Sequence, residues 1–327
     1  MTGWIRTPWW DGCWVLSGLP IGLMLAGLSA FMPSAIIVVV LLLLLQTGHL
    51  LAPIALAWSH AGFRQLMLCH RVKYLAVPLG ILSATIGIAI FASPGYRLDI
   101  TLSAMPRIRV PRDLADPFTA MFLVYAAWNV FHFGMQNFGI LSIYRHKAGR
   151  YRGRAIDMAY CLAVIFAAAF ITAVHRDLPG PSGAWLAVWF AIFIGMLWRE
   201  LRAGFCLPRA FFMITTAVGL LLVFWQGLLG VAIYAVNHWL VAIGLAAHVH
   251  PSRRPILFSV LVILAGMTVF VLLFVRPGFV IRFVPWALGA RVGLGFVHFL
   301  YDRYLWKLSG QSIGKTLIAS GSVGSIY

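Results

Sequence analysis

Four of the ten histidines, His49, His132, His238 and His298, fall inside long apolar stretches of the chain. A polar, ionisable ring is costly to place in hydrocarbon, so an intramembrane histidine normally faces a bundle interior and has a task there. Neutral imidazole nitrogen is a good ligand for Fe, Zn and Cu. Counted from Ser34, Phe118, Gly227 and Pro285, the expected outer ends of their helices, the four stand 15, 14, 11 and 13 residues in. At ~1.5 Å rise per residue this is a spread of roughly 6 Å in depth. Four imidazoles at one level on four helices are expected to converge on a metal ion. The plainer alternative is that each only hydrogen-bonds across helices.

The neighbours of these histidines share their faces. Asn129, His132 and Gln136 stand at i, i+3 and i+7, one side of a helix. Asn129 and Gln136 are therefore candidates for positioning bound oxygen or a ligand by hydrogen bonds. Arg291, Gly295, His298 and Asp302 stand at i, i+4, i+7 and i+11. Asp302 is one turn from His298, as a further ligand or as a carboxylate that fixes the imidazole tautomer; otherwise it is a surface partner of Arg303. Arg291 either snorkels to the outer interface or holds an anionic group of a ligand. His60 is eleven residues from His49 and is expected on the same face. With His248 and His250 it forms a candidate second metal layer or a set of interfacial residues. His70, His146 and His175 read as solvated.

The elements that must position these side chains are transmembrane helices. Of the 327 residues 62% are apolar and only 10% charged, against about 25% charged in ordinary soluble domains. That excludes a disordered chain, a disulfide-stapled secreted module and a typical soluble enzyme. The apolar residues come in blocks near the ~20 residues needed to cross a bilayer core. The expected fold is an all-α polytopic bundle of about ten spans: 13–32, 34–59, 74–92, 118–144, 155–174, 184–198, 210–225, 227–249, 255–275 and 285–307. Residues 1–307 form a single transmembrane domain, and 308–327 a Gly- and Ser-rich cytoplasmic tail. Short breaks at Met32-Pro33-Ser34 and Trp225-Gln226-Gly227 divide neighbouring spans. The first span also has a second reading, as a signal peptide, although it lacks a clear small-residue cleavage site.

The formal charge of +17 brings nucleic acid to mind. The basic residues, however, sit in short loops between apolar blocks, and no nucleic-acid partner is expected. Seventeen fall on one side of the proposed membrane and seven on the other, so both termini are expected in the cytoplasm and the protein in the inner membrane. The four scattered cysteines lack a CxxC pair, which argues against disulfides and a thiolate cluster. Gly314-Lys315-Thr316 resembles the end of a phosphate loop, but Ser309 stands where that motif needs Gly. Asp157 and Glu200 are placed at helix ends, so the buried carboxylate relay of many transporters is missing.

The segment His132-Phe133-Gly134-Met135 resembles the His-Phe-Gly-Met element of the Brp/Blh family of integral-membrane beta-carotene oxygenases. His49 after Thr47-Gly48, His238 before a basic loop with Arg253 and Arg254, and the closing His298-x-x-x-Asp302 are similar in order to that family's elements. The chain differs in having no Asp between Leu50 and Ala55, and in Ala242 where the family has a second late histidine. The resemblance implies a helical membrane oxygenase that cleaves a polyene such as carotene. Together with the residues it gives the expectation of a non-haem Fe(II) enzyme, with Zn or Cu as alternative metals. His49, His132, His238 and His298 would be the ligands, and the substrate would be apolar and enter from the lipid bilayer. An electron donor is a further possible partner. The competing readings are a haem-b or quinone electron carrier, and a transporter or assembly factor whose histidines only pack.

Overall fold

The computed structural model describes residues 3–31, 36–92, 98–99, 107–108, 117–150, 152–174, 179–226, 228–250, 260–261, 264 and 277–305. The chain is helical almost throughout: α1 (Pro8–Asp11), α2 (Gly18–Phe31), α3 (Ile36–Ser59), α4 (Ala61–Cys69) and α5 (Val77–Phe91) are followed by α6 (Pro117–Lys147) and α7 (Arg154–Val174). Then come α8 (Pro179–Arg202), α9 (Leu207–Gln226), α10 (Leu228–Val249) and α11 (Pro277–Leu305). Two-residue strands, Leu98–Asp99 and Arg107–Ile108, pair antiparallel. Six helical stretches are long and apolar enough to cross a membrane: Val72–Phe91, Pro117–Lys147, Arg154–Thr172, Gly183–Arg202, Leu207–Trp225 and Gly230–Val249. The protein is an all-helical membrane protein. The helices of His49 and His298 are not among these six, which were counted over the described residues. Most of the expected ninth span, 255–275, together with His175 and the 308–327 tail, lies outside the described residues.

Helix ends follow local chemistry. The N-cap of α1 is Thr7, whose Oγ1 accepts from Trp10 N at 3.1 Å, which satisfies one of the first-turn donors. His60 caps α4 in the same way, its Nδ1 accepting from Phe63 N at 3.4 Å. His60 therefore begins a new helix and does not share the face of His49, because α3 stops at Ser59. The expected start of the last helix at Pro285 is also corrected. Proline suits the first helical turn, and it is Pro277 that occupies it, so α11 begins eight residues earlier and runs through Pro285.

The chain divides into two compact units. The first draws on Met1–Gly27 and Asn129–Gly244. In it α7, α8 and α9 pack on one another around fully buried Tyr160, Trp189, Phe212 and Met213. Glycines set the closest approaches. A Cβ on Gly18 would collide with the Cα of Asn237, and one on Gly22 would lie 2.5 Å from Ile233 Cγ2, the small-xxx-small contact that lets two backbones meet. Gly18→Leu is expected to cost about 1–3 kcal/mol, at the upper end because backbone cannot move aside. Gly27→Leu, where an added Cβ meets nothing within 4 Å, is expected to leave the thermal unfolding midpoint in detergent unchanged.

A buried ionic network closes one end of this unit. Arg209, near the start of α9, binds Asp157 of α7 at 2.6 Å and Glu200 of α8 at 2.8 Å. Arg145, near the end of α6, reaches the same Asp157 at 2.9 Å, and Arg150 reaches Glu200 at 2.5 Å. Arg209 also donates to the carbonyl of Leu141. Close by, Asp11 is fully buried and accepts from Ile5 N at 2.8 Å, Arg6 N at 3.1 Å and the Tyr144 hydroxyl at 3.0 Å. Burial pushes its carboxyl above the ordinary range, against the lowering pull of those donors and of Lys147.

The second unit draws on Leu28–Trp128 and Leu245–Leu305. Here α11 packs chiefly on α5 and also on α3. Gly289 and Gly293 permit it: a Cβ on Gly289 would lie 2.7 Å from Ala89 Cβ, and one on Gly293 would collide with Thr85 Oγ1. Ala89, Phe118, Met121 and Val292 form the adjoining core.

Candidate metal centre

Each unit brings two of the four sequence-predicted histidines together. In the first unit His132 of α6 and His238 of α10 stand edge to face, with ring centroids 5.2 Å apart at 86°. In the second, His49 of α3 and His298 of α11 stand edge to face at 4.2 Å and 64°. His298 is fully buried, His49 and His238 are 3% exposed and His132 is 9% exposed. Within each pair a ring nitrogen of one histidine is within 4.8 Å of a ring nitrogen of the other. Two imidazole nitrogens on one ion, each at ~2.1 Å, are at most ~4.2 Å apart. Both pairs thus have the spacing of metal ligands after a sub-ångström closure, and their donors are the neutral nitrogens that Fe, Zn and Cu accept.

The His132-Phe133-Gly134-Met135 segment explains the first pair. Phe133 stacks on His238 with centroids 3.7 Å apart and planes at 21°, which fixes the imidazole plane. Gly134 lets α7 approach, since a Cβ there would be 2.9 Å from Leu162 and Ile165. One turn beyond His132, Gln136 donates its Nε2 to the backbone carbonyl of His238 at 3.1 Å, tying α6 to α10 at the level of the pair. Its Oε1 is buried and has no hydrogen-bond partner among the described residues. The next residue, Asn137, donates to the Tyr234 hydroxyl at 2.7 Å and adds a second tie, which sequence reasoning missed. Asn129 is half-buried on α6 one turn before His132.

Asp302 orders the second pair. Its Oδ2 lies 3.3 Å from Nε2 of His298, and it is 6% exposed, so it is a buried neighbour of the imidazole and not a surface group. A carboxylate on Nε2–H leaves Nδ1 as the ligand nitrogen and raises its basicity. On α3, Pro53 follows His49 by one turn inside the helix. Having no N–H, it does not donate to the carbonyl four residues earlier.

Arg291 does not sit at the outer end of its helix. It is central in α11 and donates to Gln46 Oε1 at 2.5 Å, one turn before His49. His60, His248 and His250 do not gather into a ligand group among the described residues, and the Nδ1 of His60 is engaged in its cap. Burial, and then the neighbouring His60, hold the His250 imidazole below the ordinary histidine range.

No family profile, curated protein or solved structure matches this chain. The resemblance to the Brp/Blh family rests on the quoted motifs alone.

Proposed function

We propose that the two histidine pairs, His49 with His298 and His132 with His238, together hold one iron ion. On this reading the protein is a non-haem oxygenase of the inner membrane that acts on an apolar polyene or lipid, in the manner of carotenoid cleavage. The observation that carries it is that both pairs are already formed, buried and supported, one by Asp302 and the other by Phe133 and Gln136. The reading includes ten spans with both termini in the cytoplasm. It also places Fe(II), ahead of Zn or Cu, at the centre.

When bound, such an ion supplies the activation of dioxygen that the side chains themselves lack. The chain's own groups do the rest. Asp302 holds the His298 tautomer, Phe133 fixes the plane of His238, and the free Oε1 of Gln136 is placed to accept from a bound ligand. Asn129 is assigned the companion role on the same helix face. Apolar walls exclude water from the reacting centre.

Metal analysis of the purified protein tests the reading, with the pigment profile of cells expressing it beside a carotenoid pathway. Stoichiometric iron without a haem Soret band, and loss of coloured polyene, are the expected results. A Soret band or a metal-free folded protein would overturn it. Asp302→Asn removes the carboxylate's charge at constant shape. It is expected to weaken metal affinity by about 10–100-fold, read by competition with a chelator, while the protein stays monodisperse.

A further inference from the structure

The central residue of α11 is an arginine, and the structure gives its charge no acidic partner among the described residues. The acids of the second unit's helices reduce to Asp302, which lies eleven residues further along α11 and faces His298. Arg291 donates instead to the neutral Gln46 Oε1. One acceptor engages only part of a guanidinium, which carries five donors in a fixed fork suited to a carboxylate. A cation in the middle of a long apolar helix normally marks a ligand pathway.

Its surroundings belong to the histidine pair. Gln46 is one turn before His49 on α3, and Arg291 is two turns before His298 on the same face of α11, roughly 10 Å along the axis. Between them the wall is aromatic. Tyr125 lies over Gly295, where any side chain would collide with its ring. It stacks on Phe299 at 5.9 Å and meets Phe296 edge-on at 5.6 Å. A charged head site, an aromatic wall and a pair of metal-type ligands thus follow one another along one helix.

From this order we infer that Arg291 binds the carboxylate of an amphipathic substrate, a long-chain polyene or unsaturated fatty acid. The guanidinium sets which carbons reach the histidines, roughly 10 Å from the acid end. A hydrocarbon such as carotene would be placed by the aromatic wall alone, without the contact to Arg291. The inference rests on the oxygenase reading for what happens at the histidines, but the binding step stands apart from it.

The test is binding of cis-parinaric acid, a fluorescent tetraene fatty acid, and of its methyl ester to the detergent-purified full chain. A charge-assisted bond to a carboxylate is expected to favour the acid by about tenfold to a hundredfold. Arg291→Gln should remove the preference by weakening the acid alone, and Arg291→Lys should keep part of it. Gln46→Leu frees the guanidinium and should preserve the preference, so it serves if the Arg291 variants fail to fold. Oleic acid should displace the probe and dioleoylphosphatidylglycerol should not. Equal wild-type affinity for acid and ester, an undiminished preference in a folded Arg291→Gln protein, or better displacement by the phospholipid would overturn the inference. A His298→Ala protein should bind the acid with the wild-type preference, which separates failure of this site from failure of the metal reading.

Discussion

Replacing His298 by alanine is expected to reduce bound iron from stoichiometric to background while the protein remains in the membrane. His298 has no exposed surface, lies beside His49 and is oriented by Asp302. Its loss removes a proposed ligand and also leaves the Asp302 carboxylate buried beside an empty space. Removing a group that only orients a ligand typically costs 10–100-fold in metal affinity, so removing the ligand itself should exceed that. His132→Ala should behave alike, since His132 is the partner of His238 in the other unit. Iron retained at wild-type stoichiometry in both variants would refute the site. Membrane extraction followed by elemental analysis separates loss of metal from loss of protein.

Arg209→Met is expected to be the most destabilising single change outside the metal centre, at about 3–5 kcal/mol. The arginine lies between two carboxylates, and both Asp157 and Glu200 are buried. Removing it leaves Glu200 to Arg150 and Asp157 to Arg145, with two oxygens of the network no longer paired. Breaking one member of a buried ionic set is costly, whereas neutralising the whole set is often close to neutral. Neutralising the whole set, with Asp157→Asn, Glu200→Gln, Arg145→Met and Arg150→Met added to Arg209→Met, should therefore recover most of the loss. Thermal unfolding in detergent reads both results. A drop of less than a few degrees for the single variant, or no recovery in the fully neutralised one, would contradict this account.

The helical class and most helix limits were legible in the sequence, because blocks of apolar residues at bilayer length have few other solutions. The expected breaks at Met32-Pro33-Ser34 and at Gly227 fall on positions outside the described residues. Two prolines compete for the start of α11, and local preference alone does not choose between Pro277 and Pro285. That choice moved Arg291 from a helix end to the helix centre. His60 misled because an eleven-residue spacing predicts a shared face only when the helix continues, and its own ring ends that continuity by capping α4.

Within the candidate site, the histidines and Asp302 were visible as residue types at helical spacing. Their pairing was not, because His49 meets a residue on α11 and nothing local encodes that choice. The same holds for the arginine network. Asp157 and Glu200 were correctly placed at helix ends, yet four helix ends had to meet before the acids could be seen as buried and paired. The signal was present in the scarcity of acids: among eight in the whole chain, two stand beside arginine-rich turns. The division into two units was also hidden, since each is assembled from separated stretches of chain.

That interleaving has a consequence for biosynthesis. His132 meets His238 after 106 further residues have been made, whereas His49 waits 249 residues for His298. At translation speeds of about 5–20 residues per second, the ribosome needs roughly 12–50 s to deliver the partner of His49. Throughout that interval α3 carries its imidazole without the helix that shelters it. On the proposed reading, metal loading would be confined to the last stage of synthesis, when α11 emerges and settles on α5.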